Sequence, residues 1–161
     1  MALAEDPDDA EAAFEKAVRV LNAASQTASG LTFKLRRGGF SATAAADACR
    51  RAVALGYVND AVYAEAVVAK RLRQGRGRSL ISRELTHKGL GDDLLSRAVG
   101  AVDAAQELAS ATELALKLVR RHAAEPEARR RDKVLSALAR RGFPGHVSRE
   151  ALAEAGLRLS S

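Results

Sequence analysis

Basic side chains concentrate in two stretches of this sequence, and the chemistry open to them is the binding of anions. No acidic residue occurs between Lys70 and Arg83, and Gly75 and Gly77 interrupt this run. Guanidinium and ammonium groups attract phosphates and carboxylates, while glycine lets the backbone come close to a partner. The candidate contact residues are Lys70, Arg71, Arg73, Arg76, Arg78, Arg83 and Lys88 in the first stretch, and Arg129, Arg130, Arg131 and Lys133 in the second.

The overall charge agrees with a polyanionic partner. The first fifteen residues carry six acids and no Lys or Arg, so the remainder holds 26 basic and 14 acidic residues. Such a basic body favours association with polyanions. A solvated basic surface that only maintains solubility would give the same composition.

The sequence contains few residues that are placed for catalysis or metal binding. His87, His122 and His146 are scattered, and Cys49 is the only cysteine, best interpreted as a small core residue. The segment 75–80, Gly-Arg-Gly-Arg-Ser-Leu, lacks the third glycine of a dinucleotide fingerprint, and no P-loop motif occurs. We therefore expect no cofactor, no metal and no enzymatic activity.

One short phrase occurs three times. Leu35–Phe40 reads L-R-R-G-G-F, Leu85–Leu90 reads L-T-H-K-G-L, and Leu138–Phe143 reads L-A-R-R-G-F. In each copy a leucine is followed four residues later by glycine and then by a large apolar residue. A spacing of about 50 residues indicates a small helical unit copied along the chain. The two basic stretches occupy matching places in the second and third units, and Arg36 and Arg37 form a weaker version in the first. This recurrence predicts a basic track along one side of the molecule.

Apolar residues at helical spacing predict nine helices in three groups. Aromatic residues make up only 4% of the chain and tryptophan is absent, so alanine, leucine and valine must fill the core. The glycine of each phrase should end a helix, Ser41 should cap the third helix and Asp60 the fourth. The predicted fold is all-α, with three tandem three-helix repeats forming an elongated, curved molecule. The predicted segments are an acidic, disordered tail (1–12), repeat one (13–58), repeat two with the basic run (59–102) and repeat three (103–158).

Two features bear on the location and on the type of nucleic-acid contact. No stretch approaches 18 consecutive apolar residues and no secretory signal is recognisable, so we expect a cytoplasmic protein without membrane contact. The last helix of repeat two begins Gly-Asp-Asp, which would repel phosphate and argues against sequence-specific readout. Tyr57 and Tyr63 are the only tyrosines, so the sequence provides few rings on which the bases of a single strand could stack.

The stretch from Gly56 to Gly89 resembles the central repeat of the RecX family of recombination regulators. The matching features are the G-Y-V-N-D entry, Tyr63-Ala64, the basic run ending in Gly-Arg, and Glu84-Leu85 followed by Lys88-Gly89. Repeats one and three match through their copies of the phrase. The resemblance implies a protein without enzymatic activity that binds the RecA filament on DNA and modulates, mostly by inhibition, its ATPase, coprotease and strand-exchange activities. We expect this protein to be a monomer. The resemblance also implies three tandem three-helix repeats and nonspecific contact with single- or double-stranded DNA.

Two other functions fit the basic surface. A stand-alone nonspecific DNA-binding protein needs only the charge, and a helical adaptor for an acidic protein needs charge without nucleic acid. The acidic residues 5–15 could fold over the basic side and weaken premature DNA contact, or form only a disordered tail.

Overall fold

Helices make up the regular structure of this chain. The computed structural model describes residues 3–157, and within that range it contains nine α-helices and no strand. The helices are α1 (Ala10–Ala23), α2 (Ala28–Arg37), α3 (Ala42–Ala54), α4 (Asp60–Arg73), α5 (Arg78–His87), α6 (Asp92–Gly100), α7 (Ala104–Arg121), α8 (Glu127–Arg140) and α9 (Gly145–Glu154). The predicted all-helical fold is confirmed.

Side chains at the helix starts account for several of these boundaries. The Ser41 hydroxyl accepts a hydrogen bond from Ala44 N at 3.2 Å and caps α3, as predicted. The fourth helix differs from the prediction. Asn59 takes the capping position, since its side-chain oxygen accepts from Val62 N at 3.1 Å. Asp60 is thereby released for a tertiary contact, in which its carboxylate accepts from Ala28 N at 2.8 Å.

The repeated phrase is the sequence of one particular helix end. Gly39, Gly89 and Gly142 all have positive φ (96°, 77° and 86°), a conformation that glycine adopts without steric cost. The N–H of the apolar residue after each glycine donates to the carbonyl of the leucine five residues earlier, at 3.2–3.3 Å in all three copies. This is the Schellman arrangement, which brings the apolar residue back onto its own leucine.

Each of these helix ends also receives a second segment of chain. The carbonyl before the glycine accepts a hydrogen bond from Ala4 N in repeat one (2.8 Å), from Thr27 Oγ1 in repeat two (2.7 Å) and from Gly77 N in repeat three (2.8 Å). The donors in repeats two and three precede the second helix of the preceding repeat. In repeat one, the segment around Ala4 takes the equivalent position.

The chain divides into two compact units. Within the described residues, unit one comprises residues 3–64 and 85–94, and unit two comprises residues 65–84 and 95–157. The middle repeat therefore contributes to both units, and the predicted segment boundaries stay predictions.

Alanine dominates the core of unit one. Ala13 and Ala17 of α1 and three alanines of α3 are fully buried. Leu31 and Leu35 of α2 close the core, together with Phe40 from the loop that follows this helix. Cys49 is a buried member of this cluster, as predicted.

The core of unit two is richer in larger aliphatic side chains. It joins α7, α8 and α9 through a buried cluster consisting of Ala111, Ala115, Val134, Leu138, Phe143, Val147, Ala151, Leu152 and Leu157. Because a single side of each helix enters this core, most charged residues of the same helices are left at the surface, and Glu107 of α7 is a buried exception.

The acidic N-terminal segment has defined contacts in unit one. Ser41 N donates to Pro7 O at 2.7 Å, and the Asp9 carboxylate caps α1 by accepting from Glu11 N and Ala12 N. Glu11 pairs with Arg51 at 2.9 Å, and this hydrogen bond raises the pKa of Arg51.

Candidate polyanion-binding surface

Ten of the eleven basic residues predicted as contacts belong to unit two. Lys70, Arg71 and Arg73 lie in the last turn of α4, Arg76 lies in the following loop, and Arg78 and Arg83 lie on α5. The second cluster, residues 129–133, lies on the first half of α8. Lys88, just after α5, is exposed and belongs to unit one.

Glu84 of α5 engages two of the predicted contact residues. The Arg71 guanidinium binds its carboxylate at two points, with Nε–Oε2 at 2.8 Å and Nη2–Oε1 at 2.5 Å. Arg76 Nη1 lies 3.7 Å from the same carboxylate. A bidentate pair of this kind fixes orientation as well as neutralising charge. Arg71 therefore ties the end of α4 to α5.

A buried carboxylate engages Arg78. Glu107 of α7 is fully buried and accepts two hydrogen bonds from Arg78, one from the backbone N at 2.8 Å and one from Nε at 2.7 Å. A buried carboxylate is tolerated only when it is paired and hydrogen-bonded. Arg78 thus anchors the start of α5 on α7.

The cluster on α8 is partly neutralised by acids beside it. Glu125 pairs with Lys133 and with Arg129, whose Nε lies 3.4 Å from its carboxylate, and Arg131 lies 3.9 Å from Glu127. The Lys133 hydrogen bond lowers the pKa of Glu125. The Arg130 guanidinium donates to Ala123 O at 3.4 Å.

Three of the predicted contacts in unit two are both exposed and outside the ion pairs of the described residues. Lys70, Arg73 and Arg83 are exposed, and the described residues offer no ion pair to any of them. Arg83 Nε makes only a long hydrogen bond, 3.4 Å, to Ser79 O. These side chains can bind an external anion without breaking an internal ion pair.

Arg73 also opens onto a cleft of about 620 Å³ within unit two, which we call the unit-two cleft. It lies between the end of α4, one side of α7 and the end of α8. Its cations are Arg73, Lys117, Arg121, Arg140 and Arg141, and Glu113 is the one carboxylate among its lining residues.

The acid in this cleft neutralises only the lysine. Lys117 Nζ donates to Glu113 at 2.6 Å, and this hydrogen bond lowers the pKa of Glu113. Arg141 Nη1 donates to Gln74 O at 3.3 Å, which leaves the rest of its guanidinium available. The described residues provide no ion pair for Arg73, Arg121 or Arg140. The cleft therefore offers several unneutralised guanidinium groups that converge on one space, an arrangement suited to phosphates or carboxylates.

Sequence reasoning missed four of these five cations. The sequence signal that could have indicated these cations is the pair of arginine doublets at the ends of α7 and α8, Arg120-Arg121 and Arg140-Arg141. Basic residues in a last helical turn are commonly explained by the helix dipole, so the doublets alone do not indicate a binding site.

Two further kinds of site are absent from residues 3–157. That range holds no group of three or more His, Cys, Asp or Glu side chains placed to bind a metal ion. None of its helices is long and apolar enough to cross a membrane.

Family models of RecX match two parts of the chain. The second three-helix domain of RecX matches residues 59–99, and the third three-helix domain matches residues 105–152. Together they cover more than half of the sequence. The chain belongs to the RecX family.

Curated relatives and solved structures agree with this assignment. The regulatory protein RecX of Mycobacterium ulcerans is 31% identical over 147 residues, covering 90% of this chain and 85% of the relative. That of Mycobacterium tuberculosis is 30% identical over 131 residues, covering 78% and 75%. The crystal structure of RecX from Lactobacillus salivarius superposes with a TM-score of 0.86 at 21% identity, covering 92% of this chain and 97% of that one, and shows that the fold is shared. The RecX resemblance and the predicted three-helix units are thus confirmed.

Proposed function

We propose that this chain binds the RecA nucleoprotein filament and modulates, mainly by inhibition, its ATPase, strand-exchange and coprotease activities. Membership of a family of regulatory proteins named RecX supports this proposal. The chain acts by binding and not by catalysis. Contact with adjacent RecA protomers would resist the relative movement that accompanies ATP turnover.

The unit-two cleft is the observation that carries the proposed mode of contact. Arg71, Arg76 and Arg78 hold α4, α5 and α7 together through internal ion pairs. Arg73, Arg121 and Arg140 are exposed side chains of the cleft. We assign contact with acidic RecA side chains and with nearby phosphates to this second group. The predicted contacts Lys70 and Arg83 extend it at the surface.

The test is the DNA-dependent ATPase of the cognate RecA with this protein added in increasing amounts. We expect the ATPase to fall as the protein reaches several-fold excess. An unchanged ATPase over that range would contradict the proposed modulation.

Charge reversal in the cleft then tests the contact site. In the double variant Arg121→Glu/Arg140→Glu, half-inhibition should need at least about tenfold more protein, because one charge-assisted contact contributes about 1.5 kcal/mol or more. The control is the double variant Arg19→Glu/Arg149→Glu, which makes the same change in net charge at two exposed arginines outside the cleft lining and should inhibit like the unmodified protein. Equal effects of the two variants would mean that only net charge matters.

A stand-alone nonspecific DNA-binding protein is the second candidate, because the same unneutralised guanidinium groups would bind bare phosphates. It predicts high affinity for naked DNA that falls steeply with salt as counterions are released. A strong preference for RecA filaments over bare DNA at equal salt would exclude it.

A further inference from the structure

A second cleft lies within unit one and differs in chemistry from the unit-two cleft. It has a volume of about 440 Å³ and follows α2 from its cap at Thr27 to Arg37 in its last turn. We call it the unit-one cleft. Its aromatic and basic lining residues are Phe33, Tyr63, Lys34, Arg37, His87 and Lys88. The described residues contribute no carboxylate to its lining.

Helical spacing places an exposed ring next to two cations. Leu31 and Leu35 are fully buried, so Phe33, Lys34 and Arg37 occupy the outer side of α2. The Phe33 side chain is 61% exposed although it is a large apolar group. The Arg37 guanidinium carbon lies 5.8 Å from the ring centroid, within the range of a cation–π contact.

Tertiary hydrogen bonds bring the other side of the cleft to this ring. The buried Thr27 hydroxyl donates to Lys88 O at 2.7 Å and fixes the segment that carries His87 and Lys88. The Asp60 carboxylate accepts from Ala28 N at 2.8 Å and holds the start of α4 against α2, one turn before Tyr63. These bonds join residues 61 and 32 positions apart, which a linear reading of the sequence does not bring together.

An exposed ring surrounded by cations suits a ligand that is both flat and anionic. A free phosphate would use the cations but leave the ring without a function, and an apolar ligand would use the ring but not the cations. A nucleotide uses both, because its base stacks on an aromatic face while its phosphate meets Lys or Arg.

We propose that the unit-one cleft binds an unpaired nucleotide of a DNA strand. The base stacks on Phe33, and Lys34, Arg37 and Lys88 contact the flanking phosphates. A base inside a duplex is covered on both faces by its neighbours and cannot reach the ring. The cleft therefore gives the protein a preference for single strands over duplex DNA.

The test compares three fluorescein-labelled probes of equal length by anisotropy: a twelve-residue oligothymidylate, a duplex, and a strand composed of abasic sites. Phe33→Leu should weaken oligothymidylate binding by about fivefold or more, the loss expected from one stacked base. Duplex and abasic binding should not change. Phe33→Trp should restore binding to oligothymidylate because it returns an aromatic face.

Val62→Ala is the matched control. Val62 is an equally exposed apolar residue of unit one (59%) that does not line the cleft, so its removal should leave all three affinities unchanged. Far-UV circular dichroism and a thermal melt of each variant establish that the fold is retained.

Three results would overturn the proposal. The first is an unchanged affinity of Phe33→Leu for oligothymidylate, and the second is an equal loss of affinity for the abasic strand. The third is a loss of affinity seen only for an oligoglutamate peptide, added as a competitor of the labelled strand. The last result would assign the cleft to an acidic peptide. Because RecA is absent from these mixtures, the outcome does not depend on the proposed modulation of RecA.

Discussion

Gly142→Ala should destabilise the protein by about 3 kcal/mol, because two costs act at one position. The φ of Gly142 is +86°, a conformation that alanine adopts only with strain. A Cβ at this position would also lie 2.4 Å from both Leu80 N and Leu80 Cβ. The start of α5 would have to move, and the hydrogen bonds from Gly77 N to Arg141 O and from Ser79 N to Gly142 O would be lost. Urea unfolding monitored by circular dichroism measures this loss.

Gly156→Ala is the matched control for this prediction. Gly156 has a φ of +89°, but no atom of the described residues lies within 4 Å of a Cβ built on it. Gly156→Ala should lower the free energy of unfolding by about 1 kcal/mol, the cost of the conformational strain alone. The difference between the two variants isolates the close approach of the α5 start to the helix end. Equal losses would show that this approach contributes nothing.

The second large effect is expected at Glu107. Replacing this fully buried carboxylate by alanine removes both acceptors of Arg78 and leaves its backbone N–H and guanidinium without their partner. Breaking a buried pair in this way costs about 3 kcal/mol or more. The 31% exposure of the Arg78 side chain places the loss at the lower end of that range. The free energy of unfolding in urea is again the measurement.

An exposed ion pair of the same helix provides the comparison. Glu113 pairs with Lys117 four residues later, and both side chains are largely exposed. Glu113→Ala should therefore cost much less stability than Glu107→Ala. A double-mutant cycle of Arg78→Ala and Glu107→Ala should give a coupling well above zero, whereas additive losses would contradict the proposed anchor.

Local properties of the chain explain why the helices could be predicted from the sequence. Apolar spacing such as Leu31 with Leu35 depends only on the geometry of a helix, and the structure buries both residues. The left-handed conformation of Gly39 follows from the absence of a Cβ and the need to end a helix. The cap of the fourth helix was assigned to Asp60 and belongs to Asn59, because Asp60 has a tertiary partner that the sequence does not reveal.

The basic run shows where the sequence ceases to be sufficient. Seven cations were predicted as equivalent contacts, but Arg71 and Arg78 are engaged by carboxylates 13 and 29 positions away. From composition alone, both side chains would be available to bind an external anion. Their hydrogen bonds show instead that they hold helices together. The prediction of a polyanion partner does not depend on this distinction, but the choice of contact residues does.

The sequence by itself determined an all-helical chain, the glycine-terminated helix ends, an alanine-rich core and a resemblance to RecX, because periodicity, backbone freedom and residue size act over a few neighbouring positions. Only the tertiary structure decided which cations are neutralised and which converge on the unit-two cleft. It likewise placed Phe33 beside Tyr63 and Lys88, through hydrogen bonds that join residues 32 and 61 positions apart. Contacts at such separations depend on how the helices pack, which local sequence patterns do not specify.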